Sequence, residues 1–290
     1  MARSNHYTDD LRLAHLLADK ADSITTSRFR AQNLRVSAKP DLTVVSDADT
    51  TVEQAIRQTL SSARPRDAVH GEEMADSGWG PRRWIIDPID GTANFVRGVP
   101  VWASLIALMD EGEVKVGLVS APLLGRRWWA AAEQGAFSGR SLLQSQSIRV
   151  SARRSIEDAF VSYSSLHGWV DCGRGRQFGN LLRLSARTRA FGDFWSHMLV
   201  AEGAVDLACE PELALHDMAA LDVIVRQAGG RFSSIDGQDG PHGPGALASN
   251  GLLHEAVLDL LAPDDNQEDS LIIPRRAAVV SSSTSSTGSG

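Results

Sequence analysis

The segment WIIDPIDGTANF, residues 84–95, constrains this chain more than any other. Its apolar start predicts a β-strand that ends at Asp87, where Pro88 interrupts the ladder and Gly91 permits a tight bend toward a helix. Two carboxylates, Asp87 and Asp90, together with the backbone amides after the glycine, are typical of a site for Mg²⁺ and phosphate. In isolation, the same Asp-x-x-Asp-Gly pattern also fits a polar turn in which Asp90 caps a helix.

Two further acidic motifs favour a metal site over a plain turn. The motif HGEE places Glu72 just behind a glycine, and HDMAA places Asp217 at the start of an apolar helix. Alone, Glu72 fits a solvated loop charge, and Asp217 fits a residue that complements a helix dipole. Together the motifs provide four carboxylates without a Cys/His ligand pattern, which favours Mg²⁺ or Mn²⁺ over zinc and suits a two-metal phosphoryl site.

The order and spacing of these motifs resemble the inositol monophosphatase superfamily of Mg²⁺-dependent, lithium-sensitive phosphatases. The resemblance covers roughly residues 8–262 and rests on GEE, WIIDPIDGTANFVRGVP and DMAA in that order. Within the superfamily, the phrases RGVPVWASLIAL, SAPLLGRRWWAA and RAFGDFWSHMLVAEGAVDLACEP most resemble histidinol-phosphate phosphatases of actinobacterial type. The implied fold is α+β, a layered α/β/α/β/α sandwich of the inositol monophosphatase / fructose-1,6-bisphosphatase type.

The resemblance implies the ligands of two or three Mg²⁺ ions, with Mn²⁺ as the alternative metal. The first ion would take Glu72, Asp87 and the carbonyl of Ile89. The second ion would take Asp87, Asp90 and Asp217. Glu72 also belongs to the catalytic group that the resemblance implies.

The resemblance also implies that Thr92 orients the attacking water and that Asp49, next to Thr92, helps to deprotonate that water. The segment SDADTTVE, residues 46–53, matches the family's Asp-x-x-x-Glu element when Asp49 rather than Asp47 takes the functional place. A structural alternative stays open, because Thr50 and Glu53 fit a capping box ahead of an apolar helix stripe. Asp49 would then simply lie at the start of that helix.

The chain departs from the commoner family pattern in two places. His216 stands where a tryptophan is usual, and it is read either as a metal ligand or as a packed, hydrogen-bonded residue. Asp193 follows Gly192 where many members carry small residues. A carboxylate at this position suits a cation better than a neutral polyol, although Asp193 also fits a surface charge near a helix start.

Histidinol phosphate carries an ammonium and an imidazole, so its organic half requires acidic and aromatic partners. Asp193 and Glu210 are the candidates, but Glu210 occupies a position that is acidic across the superfamily and therefore favours neither substrate. Arg189 and Arg97 could hold phosphate or pair with these acids. The residues expected to contact the substrate are Asp90, Gly91, Thr92, Arg189, Asp193, Glu210 and Asp217.

These observations predict a Mg²⁺-dependent phosphomonoesterase that hydrolyses L-histidinol phosphate with a metal-activated water, a reaction of histidine biosynthesis. The alternative substrate is inositol 1-phosphate or another small phosphate ester. An alternative of a different class is a non-catalytic regulatory protein that uses the same scaffold for binding. Retention of the complete ligand set argues against this second class.

The bulk properties predict a cytoplasmic enzyme, and a homodimer is also expected. A net charge of −7 over 290 residues disfavours a nucleic-acid surface. Cys172 and Cys209 do not form a disulfide framework. The sequence shows neither a signal-peptide core nor an apolar run long enough to span a membrane.

The chain is predicted to form two lobes and a tail. Residues 1–148 form an α+β lobe with most metal ligands, including two helices and an antiparallel meander of strands. Residues 149–262 form an α/β lobe with Asp217 and the substrate residues. Residues 263–290 are polar, end in SSSTSSTGSG and predict disorder, because they bury too little apolar surface to offset their ordering entropy.

Overall fold

The computed structural model of the protein describes residues 7–39 and 43–263. The predicted tail, 263–290, lies outside these residues except for its first position. The helices of the described chain are α1 Thr8–Arg28, α2 Asp47–Ala63, α3 Thr92–Arg97, α4 Leu166–Asp171, α5 Gly175–Leu184, α6 Asp193–Ala201, α7 Leu215–Gln227 and α8 His254–Leu261. Within the described ranges, no helix is both long enough and apolar enough to cross a bilayer.

The strands of the described chain form a two-stranded ribbon and two larger sheets. The strands are β1 Val36–Ala38, β2 Val44–Ser46, β3 Ala68–Gly71, β4 Arg82–Asp90, β5 Ala103–Asp110, β6 Glu113–Ala121, β7 Arg126–Ala131, β8 Ala136–Ser141, β9 Gln144–Ser147, β10 Phe160–Ser162, β11 Arg187–Arg189, β12 Leu207–Glu210, β13 Arg231–Ser233 and β14 Ala246–Ser249. The seven-stranded sheet follows chain order from β3 to β9 and is antiparallel after its first pair, as the predicted meander requires. The five-stranded sheet has the order β11-β10-β12-β14-β13 and is mixed.

Three buried layers join the helices to these sheets. Leu17 of α1 and Ile56 of α2 are fully buried against one face of the seven-stranded sheet. Helices α6 and α7 fill the space between its other face and the five-stranded sheet, in one apolar cluster that includes Met198 and Ile224. Phe178 of α5 lies in the cluster that covers the outer face of the five-stranded sheet. The order is therefore α/β/α/β/α, and the predicted fold class is confirmed.

The sequence predicted that strand β4 ends at Asp87, just before Pro88, and this prediction of its end is wrong. The strand continues to Asp90, because its register with β5 shifts between Asp87 and Asp90 and releases the proline from the ladder. Ser104 Oγ instead donates to the Pro88 carbonyl at 2.6 Å. Residues three apart point to opposite faces of a regular strand, so this irregularity is what allows both aspartates to face one site.

Helix α2 begins before the predicted Thr50–Glu53 capping box. Ser46, the last residue of β2, has extended backbone angles and is the N-cap, and its Oγ accepts a hydrogen bond from Ala48 N at 3.2 Å. Asp49 Oδ2 in turn accepts from Ser46 N at 2.9 Å. The capping box is formed by Ser46 and Asp49, and Glu53 is left within the helix for another contact.

Candidate active site

Three carboxylates meet between the bulge of β4 and the first turn of α7. Asp87 and Asp90 come from the strand, and Asp217 is the third residue of the helix. Each offers an oxygen that lies within 4.8 Å of the other two. Asp87 is 1% exposed, and its Oδ1 has no hydrogen-bond partner among the described residues. The structure thus brings together three of the predicted metal ligands.

The charges of this cluster are poorly compensated. Burial holds the pKa of Asp87 well above its usual range, and the charge of Glu72 raises it further. Burial also raises the pKa of Asp90, with Asp193 as its largest charged contributor, and the pKa of Asp217. No described Lys or Arg forms an ion pair with these three residues. A concentration of hard oxygen donors with an unpartnered buried oxygen fits Mg²⁺ or Mn²⁺.

Glu72 lies outside the close group of three and is paired with a lysine. Lys39 Nζ is 2.6 Å from Glu72 Oε1 and 2.8 Å from Glu73 Oε1. Glu53 of α2 stabilises the backbone next to Glu72, since its Oε2 accepts a hydrogen bond from Glu73 N at 2.8 Å. A Cβ at Gly71 would lie 2.1 Å from Glu53 Oε1, so only glycine leaves room for this support.

Thr92 begins α3 and lies directly beside Asp49. Its Oγ1 is 3.2 Å from Asp49 Oδ1 and 2.8 Å from the carbonyl of Ile89. Asp49 is fully buried, and burial raises its pKa. Asp47, the alternative in the sequence, pairs with Arg28 at 2.8 Å instead. Asp49 therefore fits both predicted roles, at the start of the helix and behind Thr92, because it caps α2 with one oxygen and contacts Thr92 with the other.

Asp193 is part of the site and not a surface charge. Gly91 lies against it with φ of 83°, and a Cβ on Gly91 would be 3.2 Å from Asp193 Oδ2. Asn94 Nδ2 donates to the same oxygen at 3.1 Å. The following amide, Phe194 N, donates to Asp90 Oδ2 at 2.6 Å, which joins α6 to the carboxylate cluster.

A cavity of about 320 Å³ is connected to Asp193 through one of its lining residues. Ser164 lines it and accepts a hydrogen bond from Asp193 N at 2.9 Å through its Oγ. Three carboxylates also line this cavity, from Asp171, Glu210 and Glu212, and none of the described lining residues is Lys or Arg. Such a lining favours the binding of a cation.

Two other candidates differ in how they stand to the carboxylate group. Arg189 is exposed at the end of β11, where its Nη1 donates to Thr188 O at 2.8 Å, and no described contact joins it to the cluster. His216 stacks on His70 with ring centroids 6.1 Å apart, and its Nε2 is 3.6 Å from Asp217 Oδ1. The geometry supports the packed interpretation of His216.

Sequence reasoning missed four residues that contact this site. They are Lys39, Asn94, Ser164 and His197, of which the last bonds to Glu210. Lys39 and Ser164 carry no motif and reach the site only through the fold. His197 follows Asp193 by four residues on α6, and this spacing places both on one face.

The raised pKa of Asp193 predicts a pH-dependent change in stability. Burial, followed by the charges of Glu210 and Asp217, raises this pKa from 3.8 to about 6. The folded protein therefore binds the proton more tightly than the unfolded chain, and this stabilisation is complete below pH 3.8 and lost as the pH rises through about 6. In metal-free protein, Asp193→Asn is expected to be more stable than the wild type at pH 7.5 by about 2 to 3 kcal/mol.

Urea unfolding in chelator between pH 4 and pH 7.5 measures this difference, which should shrink toward zero at the acidic end. Asparagine tolerates the φ of 49° at this position, so the substitution adds no backbone strain. Asp236→Asn, at a half-exposed residue paired with Arg174, is the control for removing a carboxylate elsewhere in the protein. A variant that is less stable than the wild type at pH 7.5 would contradict the assignment.

Comparisons with known proteins agree with this geometry. Residues 7–270 match the model of the inositol monophosphatase family. The chain is 59% identical to the histidinol-phosphatase of Streptomyces coelicolor over 259 residues, which are 88% of this chain and 97% of the relative. It is 55% identical to the histidinol-phosphatase of Mycobacterium tuberculosis over 251 residues, 86% of this chain and 96% of the relative. Among solved structures, the extragenic suppressor protein suhB of Bartonella henselae matches with a TM-score of 0.80 at 30% identity, covering 88% of this chain and 98% of that one. The chain belongs to the inositol monophosphatase family.

Proposed function

We propose that this protein is a Mg²⁺-dependent phosphomonoesterase that hydrolyses L-histidinol phosphate to L-histidinol and inorganic phosphate. The observation that carries the proposal is the close cluster of Asp87, Asp90 and Asp217, together with an acidic cavity lined by Glu210. The family supports the chemistry, and the two relatives with more than half of their residues identical support the substrate.

The carboxylate cluster supplies the electrostatic part of the reaction. Asp87, Asp90 and Asp217, with Glu72 and the carbonyl of Ile89, would hold Mg²⁺, and the family is Mg²⁺-dependent. The bound metal supplies charge that stabilises the attacking and leaving oxygens of a phosphoryl transfer. Asp87, Asp90 and Asp217 have no Lys or Arg partner among the described residues, so a bound cation would supply their missing counter-charge.

Thr92 and Asp49 orient the attacking water. The Thr92 hydroxyl has one hydrogen, and Asp49 Oδ1 is one of its two acceptors. When the hydroxyl donates to Asp49, its lone pairs can accept a hydrogen from water, so a proton can pass from water through Thr92 to Asp49. Asp49 is suited to receive it, because burial already favours its protonated form.

The other half of the site recognises the leaving group. Glu210 lines the cavity and its charge acts on Asp193, so these two acids are the candidates to receive the ammonium and imidazole of histidinol. Ser164 fixes the backbone of Asp193 through its Oγ. A neutral polyol would leave the Asp193 carboxylate without a counter-charge, which costs binding energy.

A substrate comparison tests this proposal. With saturating Mg²⁺, kcat/KM for L-histidinol phosphate should exceed that for inositol 1-phosphate by at least about tenfold, because a charge-assisted contact contributes about 1.5 to 3 kcal/mol. Phosphate release from both esters, with and without chelator, is the measurement. In Asp193→Asn, the advantage of the cationic ester should fall, mainly through KM.

The outcomes separate the parts of the proposal. A wild-type preference for inositol 1-phosphate would refute the substrate and leave the phosphatase chemistry. No Mg²⁺-dependent release from any small phosphate ester would refute the chemistry itself. A homodimer, a cytoplasmic location and inhibition by lithium remain predictions that accompany this proposal.

A further inference from the structure

His197 contacts the substrate-facing acid from within the protein core. It lies on α6, one turn after Asp193, and is fully buried. Its Nε2 is 3.3 Å from Glu210 Oε1. Because a carboxylate oxygen accepts hydrogen bonds, Nε2 carries the hydrogen of this contact.

The rest of the imidazole makes no hydrogen bond to a described residue that would explain a histidine in the core. Its Nδ1 is buried without a hydrogen-bond partner among the described residues. The ring packs against Phe232 with centroids 5.8 Å apart and an interplanar angle of 47°. An apolar side chain would fill the same space without an unpaired polar atom, so packing alone does not account for a histidine here.

Glu210 connects this buried contact with the substrate cavity. It ends β12, is 6% exposed and lines the cavity beside Ser164. Its charge is also felt at Asp193 and Asp90, where it contributes to their raised pKa values. A long side chain in this position requires a partner that selects one of its rotamers, and His197 is the described donor that bonds to it.

We infer that His197 is a positioning residue that holds the Glu210 carboxylate at the wall of the cavity, where it meets the cationic half of the substrate. This inference rests on the proposed function. Helix α6 then carries two specificity elements one turn apart, since Asp193 faces the site directly and His197 acts through Glu210. The role concerns binding of the leaving group and not the attack on phosphorus.

The test compares two esters in His197→Leu. For L-histidinol phosphate, KM is expected to rise about tenfold with kcat little changed, because the lost contact is a hydrogen bond to a charged group. For p-nitrophenyl phosphate, which has no cationic group, the rise in KM should be several-fold smaller. The inhibition constant of free L-histidinol should rise in parallel with KM for its phosphate.

Two further variants distinguish positioning from a merely structural role. His197→Gln keeps a donor that can reach Glu210 and should recover most of the loss. His15→Leu is the matched control, because His15 is also a buried histidine with an unpartnered nitrogen, but it lies on α1 against Trp129. It should leave the KM ratio of the two esters as in the wild type, and thermal unfolding should show each variant folded.

Combination with Glu210→Gln completes the test. If His197 acts through Glu210, then adding His197→Leu to Glu210→Gln should cause little further rise in KM. Additive losses, or equal losses on both esters, would overturn the inference. If the wild type instead prefers another ester, the proposed function fails, and the same cycle on that ester decides the inference: non-additive losses support it, and a KM independent of Glu210 overturns it.

Discussion

Replacing Asp87 with asparagine is expected to lower kcat by about 10³-fold or more, equivalent to on the order of 4 kcal/mol of transition-state stabilisation. Asp87 is the most buried of the three clustered carboxylates, and its Oδ1 has no partner among the described residues. Asparagine keeps the shape of the side chain but removes the negative charge that would hold the metal. The loss should persist at high Mg²⁺, because Asp87 would serve both metal ions and asparagine has one side-chain oxygen fewer and no charge.

The same variant should remain folded. In metal-free protein the charged form of Asp87 is unfavourable, since burial raises its pKa, so a neutral side chain does not remove a stabilising charge. Thermal unfolding with and without Mg²⁺ provides the second measurement, and the rise in Tm that Mg²⁺ gives the wild type should shrink in the variant. Asp236→Asn is the control, because Asp236 is half-exposed, pairs with Arg174 and is not a proposed metal ligand. A folded Asp87→Asn protein with near-normal turnover would refute the metal assignment.

Replacing Thr92 with alanine is expected to lower kcat by about 10²-fold, with KM little changed, because the hydroxyl acts on the water and not on substrate binding. Thr92→Ser keeps the hydroxyl between Asp49 and Ile89 and should retain most of the activity. Rates are measured by phosphate release across a range of Mg²⁺ concentrations.

Glu72→Gln provides the contrast, because Glu72 is proposed to bind metal and not to orient water. Raising Mg²⁺ should restore part of its lost activity, whereas it should restore none in Thr92→Ala. If the rescue followed the opposite pattern, the roles of these two residues would have to be exchanged.

Much of the fold follows from local sequence patterns. The apolar spacing along α1 and α2 and the alternation in the meander are local signals, so both were predicted. The continuation of β4 past Pro88 was not, because it depends on how β5 pairs with that strand. The start of α2 was misplaced for a similar reason, since Ser46 becomes a cap only where the β1–β2 ribbon ends.

The candidate site was predictable where short motifs carry its residues. Asp87, Asp90 and Asp217 each lie in a motif, and the structure brings them together. Lys39 and Ser164 reach the site from loops whose path depends on tertiary packing, so neither could be found from its neighbours in sequence. Arg189 was suggested by its charge alone, and no described contact joins its side chain to the carboxylate cluster, so its phosphate contact stays a prediction.

The hydrogen bond from Phe194 N to Asp90 Oδ2 links metal binding to recognition of the organic half of the substrate. One carboxylate group both belongs to the metal cluster and anchors the helix that carries Asp193 and His197. A metal that orders Asp90 would therefore also order the side chains that are proposed to recognise the organic half of the substrate. By thermodynamic reciprocity, a ligand that fixes α6 must increase the affinity for the metal by the same factor by which the metal increases the affinity for that ligand.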